Sequence, residues 1–277
     1  MAAQDDTTEQ DEDDFAPIPL TEPSGGIPSV VADDAALQNS IERLLAGTGP
    51  IAIDAERAGG YRYRQSAYLI QLRRRGSGSH LIDPTMFDDL VNLGEAIADQ
   101  EWILHAASQD IPCLTELGLV PNRLFDTELA GRLLGRPRVG LAALTETELG
   151  FTLAKEHSAA DWSTRPLPAD WLRYAALDVE LLVELRDVLD SELRRRGRWE
   201  WAQQEFDHVR LTSIRPVRTE PWRRTSGIHR ARTARQLAIV RELWLHRDRV
   251  ARDRDLAPGR VLSDAAIAAA AIAYPVD

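Results

Sequence analysis

The segment Ile51-Ala52-Ile53-Asp54-Ala55-Glu56 sets two carboxylates two residues apart at the end of an apolar run. In a strand, successive side chains alternate faces, so Asp54 and Glu56 leave the same face side by side. Like charges at that spacing repel unless a cation lies between them. Mg²⁺ and Mn²⁺ are the hard cations that prefer carboxylate oxygen and water. An isolated Asp-x-Glu is also what a strand running out into solvent looks like, so the pair alone does not define a site. A further acid, Asp110, follows the apolar stretch Trp102 to His105 at the expected first turn of a helix. Helix capping accounts for it on its own, yet strand ends and the helix starts beside them are where open α/β sheets build their sites. Tyr174 and Asp178 lie four residues apart, which stacks a phenol and a carboxylate on one helix face. For a single tyrosine there, packing is the plain explanation. His105, at the end of an apolar strand, reads as a buried, hydrogen-bonded residue rather than a ligand.

These side chains need elements to hold them. Asp33 and Asp34 are placed to cap a helix through Leu37, Ile41 and Leu44 that Gly47 and Gly49 end. Strands are expected at Pro50 to Arg57, Ser66 to Arg73 and His80 to Asp83, with a turn at Gly76 to Ser79. From residue 84 the pattern alternates: a helix at Phe87 to Ile97, a strand at Trp102 to His105, a helix from about Ser108, and a strand at Arg123 to Asp126. Helices follow at Glu128 to Leu134 and Leu141 to Glu148, then one long helix from about Pro168 to Arg196. Leu177, Leu181, Leu185 and Leu189 form a stripe every four residues along it. A helix at Trp199 to Val209 closes this part. Antiparallel strands first and alternating elements later imply an α/β domain with a mixed five-stranded sheet flanked by helices. Helices over Arg232 to Asp253 and Asp264 to Ala273 form a small all-α module, short for an independent fold. The expected division is a disordered acidic tail over 1–28, the catalytic domain over 29–210, a linker over 211–225 and the helical module over 226–277.

The chain has 277 residues, a formal net charge of −11 and a single cysteine, Cys113. One cysteine can form neither an internal disulfide nor a thiolate cluster, so a metal here must be held by oxygen or imidazole. The apolar stretch from Ala265 to Tyr274 is well short of the roughly 20 residues a membrane helix needs. The acidic N-terminus does not resemble a signal peptide, and the expected location is the cytoplasm. The net charge argues against a nucleic-acid partner until its distribution is seen. Residues 1–36 hold ten acids and no Lys or Arg, whereas residues 221–277 hold eleven Arg against six acids. That basic segment suits phosphate contacts. Lys155 is the one lysine of the chain, and compositional bias explains the Arg excess more simply than selection for phosphate binding does.

The joint order carries more than its parts: Asp-x-Glu on the first predicted strand, Asp after the fourth, Tyr-x-x-x-Asp on a late helix. This order resembles the tyrosine-bearing branch of the exonuclease superfamily named for its four acids, and within it ribonuclease D. The resemblance runs from Val30 to Val209 and includes His105-Ala106-Ala107-Ser108-Gln109-Asp110-Ile111, Phe125-Asp126-Thr127-Glu128-Leu129-Ala130 and Asp161-Trp162-Ser163-Thr164-Arg165-Pro166-Leu167. Ala55 stands where the family commonly has threonine. The resemblance implies a ribonuclease H-like fold and two divalent ions, Mg²⁺ or Mn²⁺. Asp54 would bridge them, Glu56 and Asp178 would complete one site, and Asp110 would help hold the other. It also implies 3′-to-5′ hydrolysis of single-stranded RNA to nucleoside 5′-monophosphates, with Tyr174 orienting the attacking water. Trp162 and Arg165 either contact single-stranded substrate or pin the loop before the late helix. Arg223 to about Ala273 resembles the start of the helical HRDC module shared by ribonuclease D and RecQ helicases, either truncated at Asp277 or completed differently. The rivals are a DNA-directed exonuclease with the same four acids and a non-catalytic nucleic-acid-binding protein; retention of all four acids and Tyr174 speaks against the latter.

Overall fold

A computed structural model describes residues 16–153, 157, 159–214 and 219–273. The strands in chain order are β1 (Ile18–Leu20), β2 (Val30–Val31), β3 (Thr48–Arg57), β4 (Ala67–Arg75), β5 (Gly78–Ile82), β6 (Glu101–Leu104), β7 (Arg123–Asp126) and β8 (Phe151–Leu153). The helices are α1 (Asp34–Ala46), α2 (Val91–Ile97), α3 (Ile111–Glu116), α4 (Thr127–Leu133), α5 (Leu141–Leu149), α6 (Ala169–Glu180), α7 (Leu182–Arg195), α8 (Trp199–Thr212), α9 (Ala234–Arg254), α10 (Pro258–Val261) and α11 (Asp264–Ala273). The main sheet has six strands in the order β2-β5-β4-β3-β6-β7. β4 runs antiparallel to both β3 and β5, while β3, β6 and β7 are parallel to one another.

β3 is central because it can be. Ile51, Ala52 and Ile53 are buried in succession, as a strand covered on both faces requires. The Asp33 carboxylate accepts the Ala36 N–H at 2.8 Å and starts α1, whose Leu37, Ile41 and Leu44 turn into the core. The β4–β5 turn uses Gly76 and Gly78 at φ of +81° and +79°, the left-handed region that glycine reaches without a Cβ clash. The core joins the inner residues of β3, β6 and β7 to Val179, Leu182, Leu185 and Leu189 of the late helices and to Phe206 of α8.

Four expectations need correction. The sheet has six strands rather than five, because Val30 and Val31 pair in parallel with Leu81 and Ile82 as a short edge. Of the tail expected over 1–28, residues 1–15 lie outside the described residues, but the following stretch is tied down. β1 pairs with β8, Glu22 bonds Arg173 at 2.8 Å, and the Ser24 N–H donates to Glu180 at 3.0 Å. The long helix is two helices, since Leu181 leaves helical geometry at φ −110° and ψ 3° between α6 and α7. Within the expected linker, Trp222 is buried in the core of the C-terminal helices with Val240, Ile267 and Ala271. No helix among the described residues is long and apolar enough to cross a membrane.

Candidate active site

β4 stays paired with β3 to the strand's end, whereas β6 pairs with it only before the acids. Asp54 stands opposite Gln71 and Glu56 opposite Leu69 on β4, while Ile51 and Ala52 pair with Trp102 and Ile103 of β6. α6 lies against this part of the sheet on Ala175, Ala176 and Val179, all buried. Small residues on that face let the helix approach closely and bring Asp178 to the strand. One carboxylate oxygen each from Asp54, Glu56 and Asp178 lie within 4.8 Å of one another. Tyr174, one turn earlier on the same helix face, lies close enough for the charges of Asp178 and Glu56 to act on its phenol. Four of the five residues singled out from the sequence therefore meet at one place.

Asp110 is the exception in detail. It is buried at the N-terminal end of α3, but its side chain makes no capping hydrogen bond there. Its Oδ1 instead meets Arg57 Nη2 at 3.3 Å. The helix expected from Ser108 begins as a single 3₁₀ turn, Ala107–Gln109, entered through Ala106 at φ +57°. Asp126 holds that left-handed turn in place. Its carboxylate accepts the N–H groups of Ala106 at 3.2 Å and Ala107 at 2.8 Å. The same carboxylate caps α4 through the N–H groups of Glu128 and Leu129. The Phe125–Ala130 motif thus serves the placement of Asp110.

Crowding shapes the electrostatics. Burial first, then the charges of Asp54, Asp178 and Asp110, push the Glu56 carboxyl up to about 10 against the pull of Arg57. Asp54 is raised by burial, with the Ala55 N–H and Arg57 opposing. Asp110 and Asp178 stand well above the usual carboxylate range, through burial and then the charge of Asp54. Tyr174 is raised by burial and then by Asp178 and Glu56, so its phenol stays neutral and available as a donor. Four acids so crowded ionise together only with added positive charge, and an all-oxygen donor set suits a hard divalent ion.

The residues around the site are structural. His105 Nδ1 lies 2.8 Å from the Thr127 hydroxyl, and burial holds its imidazole down to about 4. Trp162 is fully buried, its ring 5.2 Å from Trp171 and 6.4 Å from Tyr174. Arg165 grips Asp83 and the carbonyls of Trp162, Thr164 and Tyr68. Both residues hold the loop before α6, one of the two roles the sequence left open. Arg57 and Asp83 are the partners that sequence reasoning missed. An arginine directly after Asp-x-Glu was a visible signal, whereas nothing local marks Asp83.

On the far side of the loop between β3 and β4, the C-terminal helices close in. The Tyr63 hydroxyl donates to Asp248 at 3.0 Å, the Ala257 N–H donates to the Tyr61 carbonyl at 2.9 Å, and Arg260 Nε donates to the Gly60 carbonyl at 2.9 Å. Arg252 and Arg260 lie over the rings of Tyr63 and Tyr61, at 5.6 and 4.2 Å from their centroids, where a cation meets the negative face of the ring.

Residues 28–194 match a family described as 3′-5′ exonuclease, and residues 236–277 match the HRDC domain. Ribonuclease D of Nitrobacter hamburgensis is 35% identical over 178 residues, 62% of this chain and 46% of that protein. The chain thus spans about half the length of that curated relative. The crystal structure of a protein from Bifidobacterium adolescentis superposes with a TM-score of 0.89 at 48% identity, covering 94% of this chain and 65% of the other. That of Escherichia coli RNase D, an exoribonuclease involved in structured RNA processing, gives 0.72 at 32% identity, covering 90% of this chain and 67% of the other. The family match takes in Asp54, Glu56, Asp110, Tyr174 and Asp178 together, and the chain belongs to the ribonuclease D group of the 3′-5′ exonuclease family.

Proposed function

We propose that the protein is a 3′-to-5′ exoribonuclease that removes nucleoside 5′-monophosphates from single-stranded RNA ends with the help of two divalent ions. The observation that carries this reading is the convergence of one carboxylate oxygen each from Asp54, Glu56 and Asp178 within 4.8 Å, with the Tyr174 phenol near Asp178 and Glu56. In it, Asp54, Glu56 and Asp178 would hold one ion, and Asp110 with Asp54 would help to hold the second. Such a pair would supply a more acidic bound water for in-line attack and positive charge beside the leaving 3′ oxygen. The protein's own contribution is to keep the acids fixed on β3, α3 and α6 and to offer Tyr174 as a neutral donor that orients the water. Residues 29–210 are the proposed catalytic unit and residues 226–277 an HRDC-like module that helps to bind nucleic acid. Its Arg-rich sequence and its contacts with the β3–β4 loop support that role.

The test is hydrolysis of 5′-labelled single-stranded RNA and DNA of matched sequence with Mg²⁺, Mn²⁺ or chelator, for wild type and Asp54→Ala. The expected result is a metal-dependent ladder shortening from the 3′ end, stronger on RNA and lost in the variant. Faster loss of DNA would overturn the substrate, and RNA binding without any cleavage would overturn the activity.

A further inference from the structure

Arg57 follows Glu56 at the end of β3. Strict alternation would send its side chain to the face opposite Asp54 and Glu56. The ladder slips at this point: Glu56 pairs with Leu69 and Arg57 with Ala67, leaving Tyr68 unmatched on β4. A slip of this kind re-aims side chains near sites. Here the Arg57 guanidinium comes to 3.3 Å from the Asp110 carboxylate, with side-chain exposures of 27% for the arginine and 7% for the acid. Its charge opposes the burial of Asp54, Glu56 and Asp110 alike. Asp110 is also the one acid of the four that stands outside the compact carboxylate group.

A cation at Asp110 must therefore compete with one that is already bonded there. The guanidinium has somewhere to go. It borders a cavity of about 330 Å³ lined by Gln65 and by Gly59, Gly60, Ala159 and Ala160, small residues beside Glu56 that leave room for a long side chain to turn. A planar guanidinium set free in such a cleft is well suited to a phosphodiester oxygen pair.

We propose that Arg57 is a resident counter-ion that exchanges Asp110 for a substrate phosphate as the second divalent ion binds. This rests on the two-ion reading above and deepens it. In consequence, second-ion binding and phosphate binding strengthen each other, because each supplies a partner that the other displaces. Without nucleotide, the second ion binds weakly. The arginine thereby ties full metal loading to the presence of substrate.

The experiment is calorimetric titration of the full chain with Mn²⁺, with and without adenosine 5′-monophosphate as the phosphate probe, for wild type, Arg57→Gln and Arg57→Lys. For wild type, the expected result is one tight and one weak ion, the weak one tightening about tenfold when the nucleotide is present. Arg57→Gln binds the second ion about tenfold more tightly without nucleotide, and the nucleotide adds little. Arg57→Lys keeps a weak second ion but loses the nucleotide effect, because a point charge lacks the planar fork. Should both variants titrate like wild type, with two ions and the same nucleotide effect, Arg57 is a structural ion pair and the inference falls alone. Should wild type bind no Mn²⁺, the two-ion reading falls and takes this one with it.

Discussion

The Arg165 guanidinium holds the Asp83 carboxylate by two bonds, Nε to Oδ2 at 2.7 Å and Nη2 to Oδ1 at 2.8 Å. The pair ties the loop before α6 to the end of β5. Burial works against the Asp83 charge, but the bonds from Arg165 and Thr85 outweigh it and hold the carboxyl below its usual range. Arg165→Ala leaves that buried acid with Thr85 alone and takes a donor from three carbonyls. The expected cost is about 3 kcal/mol in urea unfolding. Arg165→Lys should recover little of it, because an ammonium cannot reproduce the fork. A loss below about 0.5 kcal/mol for both would show that the loop is held by other means.

Metal removal should expose the strain among the acids. The Glu56 carboxyl lies near 10 in the folded chain against an ordinary 4.5. The associated stability is full below about pH 4.5 and is lost as pH rises toward 10. In chelator, the melting temperature of wild type should therefore fall across this window. Glu56→Gln should flatten the fall and melt about 3 °C higher at pH 8. Mn²⁺ should raise the melting temperature of wild type and do little for the variant. A variant less stable than wild type in chelator would contradict this account.

Tyr174→Phe removes a hydroxyl and almost no volume. Because the phenol stays neutral, its expected work is to orient water, and losing it should lower the single-turnover rate about 100-fold. RNA affinity and Mn²⁺ affinity should stay within about twofold of wild type. The wild-type pH–rate profile should carry no limb from phenol ionisation below about pH 10. An unchanged rate in the variant would remove Tyr174 from the mechanism.

Acid should weaken the fold through His105. Its imidazole titrates near 4 in the folded chain and at 6.5 ordinarily. As pH falls between these values, the unfolded chain takes up a proton that the folded chain refuses, and stability falls. Relative to His105→Asn, wild type should lose on the order of 2 kcal/mol between pH 7 and pH 4, read by urea unfolding. Parallel pH dependences for the two proteins would refute the assignment.

What could be read from the sequence was what is local. The period of two on β3 put Asp54 and Glu56 on one face, and the spacing of four on α6 put Tyr174 beside Asp178; both hold in the fold. Asp110 was placed correctly along the chain, but its partner was not, because Arg57 meets it across the fold at the point where the β3–β4 ladder slips. β1, β2 and β8 were invisible since segments of two or three residues become strands only when a partner edge offers them bonds. The break at Leu181 has no glycine or proline to announce it, and the leucine stripe runs across it. Trp222 reads as linker because Pro221 precedes it. It is buried by helices that follow it in the chain.

The bond between Tyr63 and Asp248 joins residues 185 apart in sequence, and that between Gly60 and Arg260 spans 200. Loops closed over such distances form late. A chain emerging from the ribosome can build β3 and α6, and so gather its acids, well before Asp248 and Arg260 have been made. The wall beside the cleft, where the β3–β4 loop is held from behind, is then the last part of the site to set. Until that moment a newly made protein would possess its clustered carboxylates without the rim that borders them.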